Sequence, residues 1–158
     1  MLVKTMMKAC TLAALGAVAI GPALAHGEHQ HGSHSTKAVY GEPGNPAEAA
    51  REVLIVMKEG DGKMLFVPET ITVAKGEQVR LTLRNEGLLD HEFIIGTQEE
   101  LDEHADLMQA MPDMAHEDAN SRRLAPKATT TLLWRFTNAG EFPFACLIPG
   151  HREAGMVG

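Results

Sequence analysis

Short segments in which apolar and polar residues alternate, separated by turn sequences, are the feature that most limits the fold of this 158-residue chain. A period of two is typical of β-strands with one buried face. In two of these segments the apolar positions are Val79, Leu81 and Leu83, and then Leu132, Trp134 and Phe136. Turn sequences occur at residues 60–62, 75–76, 85–87 and 138–140. Several short strands with regular turns predict a β-sandwich or small barrel.

Further strands are predicted at residues 53–57, 66–73, 93–95 and 141–146, where β-branched and aromatic residues recur. The spacing changes in residues 98–111, where Leu101, Ala105, Leu107 and Met108 suit a single helix. Pro112 is expected to end that helix. The predicted fold is therefore all-β with one helical insertion.

Residues 1–25 have the features of a secretory signal peptide. Lys4 and Lys8 precede an apolar stretch over residues 9–20, and Ala23-Leu24-Ala25 follows. The apolar stretch is shorter than the roughly 20 residues that span a bilayer, so cleavage is favoured over anchoring. We therefore expect a periplasmic protein that is not inserted in the membrane once the signal is cleaved. Cleavage would remove Cys10 and leave Cys146 as the only cysteine, which excludes an internal disulfide.

Residues 26–50 are polar and rich in Gly and Pro, so we predict a flexible leader before a single domain over residues 51–158. Four histidines lie within nine residues of this leader: His26, His29, His31 and His34. Two interpretations stay open: a solvated tail, or weak metal capture.

Near the C-terminus, Cys146, His151 and Met156 follow each other at intervals of five residues. The Pro149-Gly150 turn and Gly155 would let one short loop direct a thiolate, an imidazole and a thioether to one point. His91, at the entry to a predicted strand, could supply a second imidazole. Two His, one Cys and a weak Met form the trigonal blue-copper set, whereas a thioether is a poor zinc ligand.

These residues resemble those of the cupredoxins, and more narrowly the copper-tolerance cupredoxins of the periplasm. The similarity covers roughly residues 50–158 and includes the Phe66-x-Pro68 strand pattern, the Asn85-x-Gly87 turn and the Cys-Leu-Ile-Pro-Gly-His loop. The resemblance implies a Greek-key β-sandwich holding one type 1 copper. Its ligands would be His91, Cys146, His151 and Met156. In cupredoxins a final strand follows the Met ligand, whereas this sequence ends at Gly158, so we expect that strand to be missing or truncated.

A second group of soft and imidazole ligands lies in the insertion: His104, Met108, Met111, Met114 and His116. Thioethers and imidazoles suit Cu(I), so a secondary copper site here is one interpretation. The other is that the methionines pack the helix against the sheet, which is the usual role of Met at helical spacing. For the leader histidines, the corresponding hypothesis is weak copper binding.

Three functions follow from these features. The first is an exported type 1 copper protein, blue or green, that transfers electrons to a redox partner or confers copper tolerance by binding copper. The second is a chaperone that delivers Cu(I) to a partner. The third, a copper oxidoreductase, is disfavoured because it needs an additional catalytic copper, so we expect no enzyme activity. The net charge of −7 argues against nucleic-acid binding, and we expect a monomer.

Overall fold

The computed structural model describes residues 38–111 and 118–158. In this part of the chain, eight strands and one helix follow each other in the order β1 Glu42–Pro43, β2 Arg51–Gly60, β3 Lys63–Val67, β4 Gln78–Asn85, β5 His91–Ile95, α1 Gln98–Ala110, β6 Ser121–Leu124, β7 Thr129–Arg135 and β8 Phe144–Ala145. No helix in these two ranges is both long and apolar enough to cross a bilayer.

The strands form two sheets. The larger has the order β1-β7-β4-β2-β3, in which β2 and β4 run parallel and the other neighbours antiparallel. The smaller has the order β6-β5-β8 and is antiparallel throughout. The predicted β-sandwich with one helical insertion is confirmed.

The core lies where the alternating apolar positions of the strands meet. Val79, Leu81 and Leu83 of β4 are all buried, as the period of two predicts. Their neighbours in the core include Ile55, Met57, Phe66, Phe93, Leu132, Trp134 and Phe144. Three Phe rings pack edge-on or tilted against one another, with two of the centroid separations at 5.1 Å. This aromatic packing joins β3 of the larger sheet to β5 and β8 of the smaller one.

Strand β5 is buried along its whole length because both of its faces are covered. Phe93 and Ile95 belong to the main core, whereas Ile94 between them belongs to a second apolar cluster. That cluster contains Leu101 and Met108 of α1, together with Ala145 and Leu147. Helix α1 therefore packs on the outer side of the smaller sheet.

Helix α1 begins and ends close to the predicted limits. Thr97 accepts a hydrogen bond from the Glu100 backbone N–H, and the Glu100 carboxylate accepts one from Thr97, which forms a capping box. The last helical residue, Ala110, lies two positions before Pro112.

Part of the predicted leader packs against the sandwich. Tyr40 is buried and its ring stacks on Trp134 at a centroid distance of 5.7 Å, while Trp134 Nε1 donates to the Tyr40 carbonyl. Glu42–Pro43 pairs with β7 as an edge strand. Residues 38–50 are thus fixed to the larger sheet rather than flexible. Residues 26–37 of the leader, and the predicted signal peptide over residues 1–25, lie outside the described residues.

Two predicted strands differ from the structure. Residues 71–73 form none, although Ile71 and Val73 pack on the core, because the Thr72 carbonyl accepts from the Arg51 guanidinium instead of from a neighbouring strand. The strand predicted at residues 141–146 is shortened to Phe144–Ala145.

Strand β6 was not predicted from the sequence, because two of its four residues are Arg.

The two residues after Met156 pair with β8. Val157 forms a bridge with Ala145, and the backbone groups of Phe144 and Gly158 exchange two hydrogen bonds of 2.9 and 3.0 Å. This short pairing covers the edge of β8 that its absence would have exposed.

Candidate metal centre

Three side chains predicted as ligands come together at one end of the sandwich. His91, Cys146 and His151 each offer one ligand atom, and these atoms lie within 4.8 Å of one another. The His151 Nδ1 atom is 3.3 Å from both the His91 Nδ1 and the Cys146 Sγ. His91 and Cys146 are fully buried, and His151 is 8% exposed.

His91 is placed by the first position of β5. The strand lies between β6 and β8, and His91 pairs with Leu124 of β6. Since side chains alternate along a strand, His91 projects to the same face as Phe93, which belongs to the main core. The imidazole is therefore held at the rim of that core.

The loop after β8 carries the other predicted ligands. A turn closed by the His151 backbone N–H on the Ile148 carbonyl presents the second imidazole. The chain then returns, because Gly155 adopts a φ of +99°, which favours glycine. Met156 donates from its backbone N–H to the His151 carbonyl and accepts from the Cys146 N–H, each at 3.1 Å. These bonds tie the start, middle and end of the loop together.

Met156 completes the predicted set in the sequence. Its side chain is fully buried and belongs to the same apolar cluster as Cys146. A thioether in this position is shielded from water.

The sulfur of Cys146 has a hydrogen-bond donor from the adjacent strand. The Glu92 backbone N–H donates to Cys146 Sγ at 3.2 Å. The Glu92 carboxylate, also buried, accepts from the Leu147 backbone N–H at 3.4 Å. A hydrogen bond donated to the sulfur, as by the Glu92 N–H, stabilises a thiolate over a thiol.

Sequence reasoning did not identify a carboxylate that touches the site. Glu59, near the end of β2, has its Oε1 atom 3.1 Å from the His91 Nε2. No motif signals this contact, because it joins two residues 32 positions apart on different sheets.

Burial governs the titration of the site. Burial lowers the pKa of His91, although the nearby carboxylate of Glu59 acts in the opposite direction. Burial also lowers the pKa of His151, and the neighbouring His91 lowers it further. Burial raises the pKa of the Cys146 thiol to about 12, although the hydrogen bond from the Glu92 backbone N–H acts to lower it. For Glu59, burial opposes ionisation, but the N–H groups of Leu88 and Leu89 and the nearby His91 outweigh it and lower the pKa. Both imidazoles thus favour the neutral form that binds metals.

The three described residues of the insertion set, His104, Met108 and Met111, have other surroundings. Met108 is buried in the cluster beneath α1, and Met111 is exposed. His104 lies with its Nε2 atom 4.0 Å from the Glu92 carboxylate. Met114 and His116 lie outside the described residues, as do His26, His29, His31 and His34.

The donor set fits a redox copper better than zinc. Two imidazoles, a thiolate and a neighbouring buried Met are the ligand types of trigonal copper sites. Structural zinc is almost always held by four Cys, His or carboxylate ligands. Within the described ranges only His91, Cys146 and His151 form a cluster of such ligands.

The comparison with known families agrees with the fold and the donor set. The family of the cupredoxin-like domain matches residues 17–157. The chain belongs to the cupredoxin-like family. This match covers all of the strands described above.

Curated relatives of this cupredoxin-like chain share one name. It is 49% identical over 137 residues to the copper-resistant cuproprotein CopI of Rubrivivax gelatinosus, covering 82% of this chain and 81% of that protein. A protein of the same name from Pseudomonas aeruginosa is 35% identical, covering 75% and 80%.

Among solved structures, reduced auracyanin from Roseiflexus castenholzii superposes with a TM-score of 0.56 at 21% identity, covering 70% of this chain and 95% of that one. That similarity is one of fold alone.

Proposed function

We propose that this protein is an exported copper protein that binds one type 1 copper ion and contributes to copper tolerance in the periplasm. The observation that carries the proposal is the convergence of two imidazole nitrogens and one sulfur within 4.8 Å in a buried site. Copper is the metal that this donor set suits best, and the relatives named copper-resistant cuproproteins support it.

His91, Cys146 and His151 would hold the metal, with the thioether of Met156 as a weaker fourth ligand. Bound copper would supply one-electron chemistry between Cu(I) and Cu(II). The hydrogen-bonded loop and the strand end hold the ligands in one arrangement, which suits rapid redox exchange. His151 is the only one of these four residues with measurable exposure, so its ring is the route by which an electron would enter or leave.

Tolerance is preferred to a dedicated electron-transfer role because the relatives share a name that refers to copper resistance. The protein would then bind copper in the periplasm and exchange electrons as a secondary capacity. The proposal includes a monomer without enzyme activity.

The decisive experiment is an optical and EPR spectrum of the Cu(II)-loaded protein, compared with Cys146→Ser. The intense visible absorption of type 1 copper depends on the thiolate, so the variant should keep at most a weak band. Fluorescence of the single Trp residue serves as the folding control. A strong visible band in the folded variant would contradict the assignment.

A further inference from the structure

Glu59, on a strand of the larger sheet, contacts the candidate site through its carboxylate. Its Oε1 atom is 3.1 Å from His91 Nε2, and the opposite ring nitrogen, Nδ1, faces His151 Nδ1 at 3.3 Å. We propose that Glu59 is a positioning residue that holds His91 in the Nε2–H tautomer and thereby directs the Nδ1 lone pair to the metal. This inference rests on the proposed function, in which His91 binds copper.

The carboxylate is held in place by the turn that precedes His91. Both oxygens of Glu59 accept from the Leu88 N–H, at 3.0 and 3.2 Å, and Oε1 also accepts from the Leu89 N–H at 3.0 Å. The Glu86 N–H donates to the Met57 carbonyl of β2, which fixes the turn against the strand. With these two backbone donors beside it, the carboxylate has one orientation in which to meet the imidazole.

Gly87 leaves the room for this arrangement. A Cβ atom at residue 87 would overlap both carboxylate oxygens of Glu59. The overlap is with the end of a flexible side chain, so a larger residue would displace the carboxylate and leave the backbone in place. The Asn85-x-Gly87 turn is therefore shaped around Glu59.

The carboxylate has two effects on a metal bound at Nδ1. An imidazole whose N–H donates to a carboxylate is fixed in one tautomer and is a more basic ligand. The negative charge behind the ring also favours Cu(II) over Cu(I), because the more highly charged ion is stabilised more. Removing the charge should therefore raise the reduction potential.

A purely structural role would look different. If Glu59 only held the backbone of residues 88 and 89 in place, its replacement would lower the free energy of unfolding and leave the tautomer of His91 unchanged. The tautomer of His91 and the reduction potential are quantities that such a role would not move.

The test compares Glu59→Gln and Gly87→Ala with the control Glu52→Gln. In Glu59→Gln the side chain carries no charge. Its amide has a single oxygen to accept hydrogen bonds from the His91 ring and from the Leu88 and Leu89 N–H groups. Gly87→Ala keeps the charge but moves it. Glu52 lies on the same strand, about 23 Å away at 3.3 Å per residue, and its side chain is 63% exposed.

NMR of the metal-free proteins would follow the two ring nitrogens of His91, and voltammetry of the copper-loaded proteins would give the potential. We expect both site variants to populate the second tautomer and to have a raised potential, while Glu52→Gln matches the wild type. The proposal fails if the Nε2–H tautomer persists in the folded variants, or if their potential equals that of the control. Failure of the wild type to bind copper would instead overturn the proposed function, and the metal-free tautomer would still be measurable.

Discussion

Arg152 donates a hydrogen bond from Nη2 to the Asp102 carboxylate of α1 at 2.6 Å. Arg152 lies next to His151, so this bond joins the helical insertion to the loop that carries three of the proposed ligands. Both side chains are partly exposed, at 32% and 53%. Exposed ion pairs of this kind contribute little to stability. The insertion is therefore held on the sheet mainly by the apolar cluster beneath it.

Truncating Met108 should cost far more than breaking this ion pair. Met108→Ala removes a buried side chain from the cluster with Leu101 and Ile94, and we expect the free energy of unfolding to fall by about 2–5 kcal/mol. Asp102→Asn should change it little. Urea unfolding of the metal-free variants measures both. Equal losses would show that the ion pair contributes as much as the burial of Met108, contrary to this prediction.

Met156→Leu tests the proposed thioether ligand. The two side chains have similar volumes, so the fully buried position should tolerate the change. We expect the variant to keep one copper per chain and to have a higher reduction potential, because the weak thioether donor is lost. Voltammetry and metal analysis measure the two quantities. Complete loss of copper would contradict a weak role for the thioether.

The phenol of Tyr40 should make the protein less stable at alkaline pH. Burial, with the nearby acidic groups of Glu100 and Asp118, raises its pKa from 10.0 to about 12. Between these two values the unfolded chain has released the proton and the folded chain has not. The contribution to stability is thus complete below pH 10.0 and is lost as the pH rises to about 12.

Tyr40→Phe should remove this slope while keeping the stacking on Trp134. Because the chain has a single Tyr, phenolate absorbance reports its titration directly. Urea unfolding across the same pH range gives the stability. Titration of the folded phenol near its ordinary pKa of 10.0 would contradict the burial of this segment.

Changing His26, His29, His31 and His34 together to Ala should lower the total copper bound per chain and leave the visible spectrum intact. These histidines precede the described domain and are separate from the candidate centre in sequence. Equilibrium dialysis followed by metal analysis gives the stoichiometry, with Cys146→Ser as the complementary variant. An unchanged stoichiometry would favour a solvated tail.

Deletion of the gene should reduce growth in high copper and have little effect on respiration at normal copper. Growth curves against copper concentration measure the first, and oxygen consumption the second. Complementation with Cys146→Ser would separate the candidate centre from the leader. Normal tolerance together with a respiratory defect would instead indicate a dedicated electron carrier.

The ligand loop could be predicted because its chemistry is local. Cys146, His151 and Met156 lie within eleven consecutive residues, and the intervening Pro and Gly residues already indicate a tight return. His91 required the expectation that a neighbouring strand would end beside that loop. Glu59 could not be predicted, since its contact with His91 depends on how two sheets pack.

Local composition also gave the wrong prediction for two segments. Tyr40 stands in a stretch rich in Gly and Pro that is typical of a flexible leader, yet its ring is buried against Trp134. Ile71 and Val73 alternate as a strand does, but the carbonyl of the residue between them accepts from the Arg51 side chain. In both cases a partner distant in sequence determines the outcome.

The burial of β5 on both faces has a consequence for how this chain can change in length. The His91 side chain projects to the core side of β5, and the Glu92 side chain projects to the helix side. The backbone N–H of Glu92 donates to the Cys146 sulfur. Inserting or deleting one residue between Asn85 and His91 would exchange these two faces, turning a carboxylate inward and the imidazole away from Cys146. We therefore expect the site to be sensitive to the length of the link between β4 and β5.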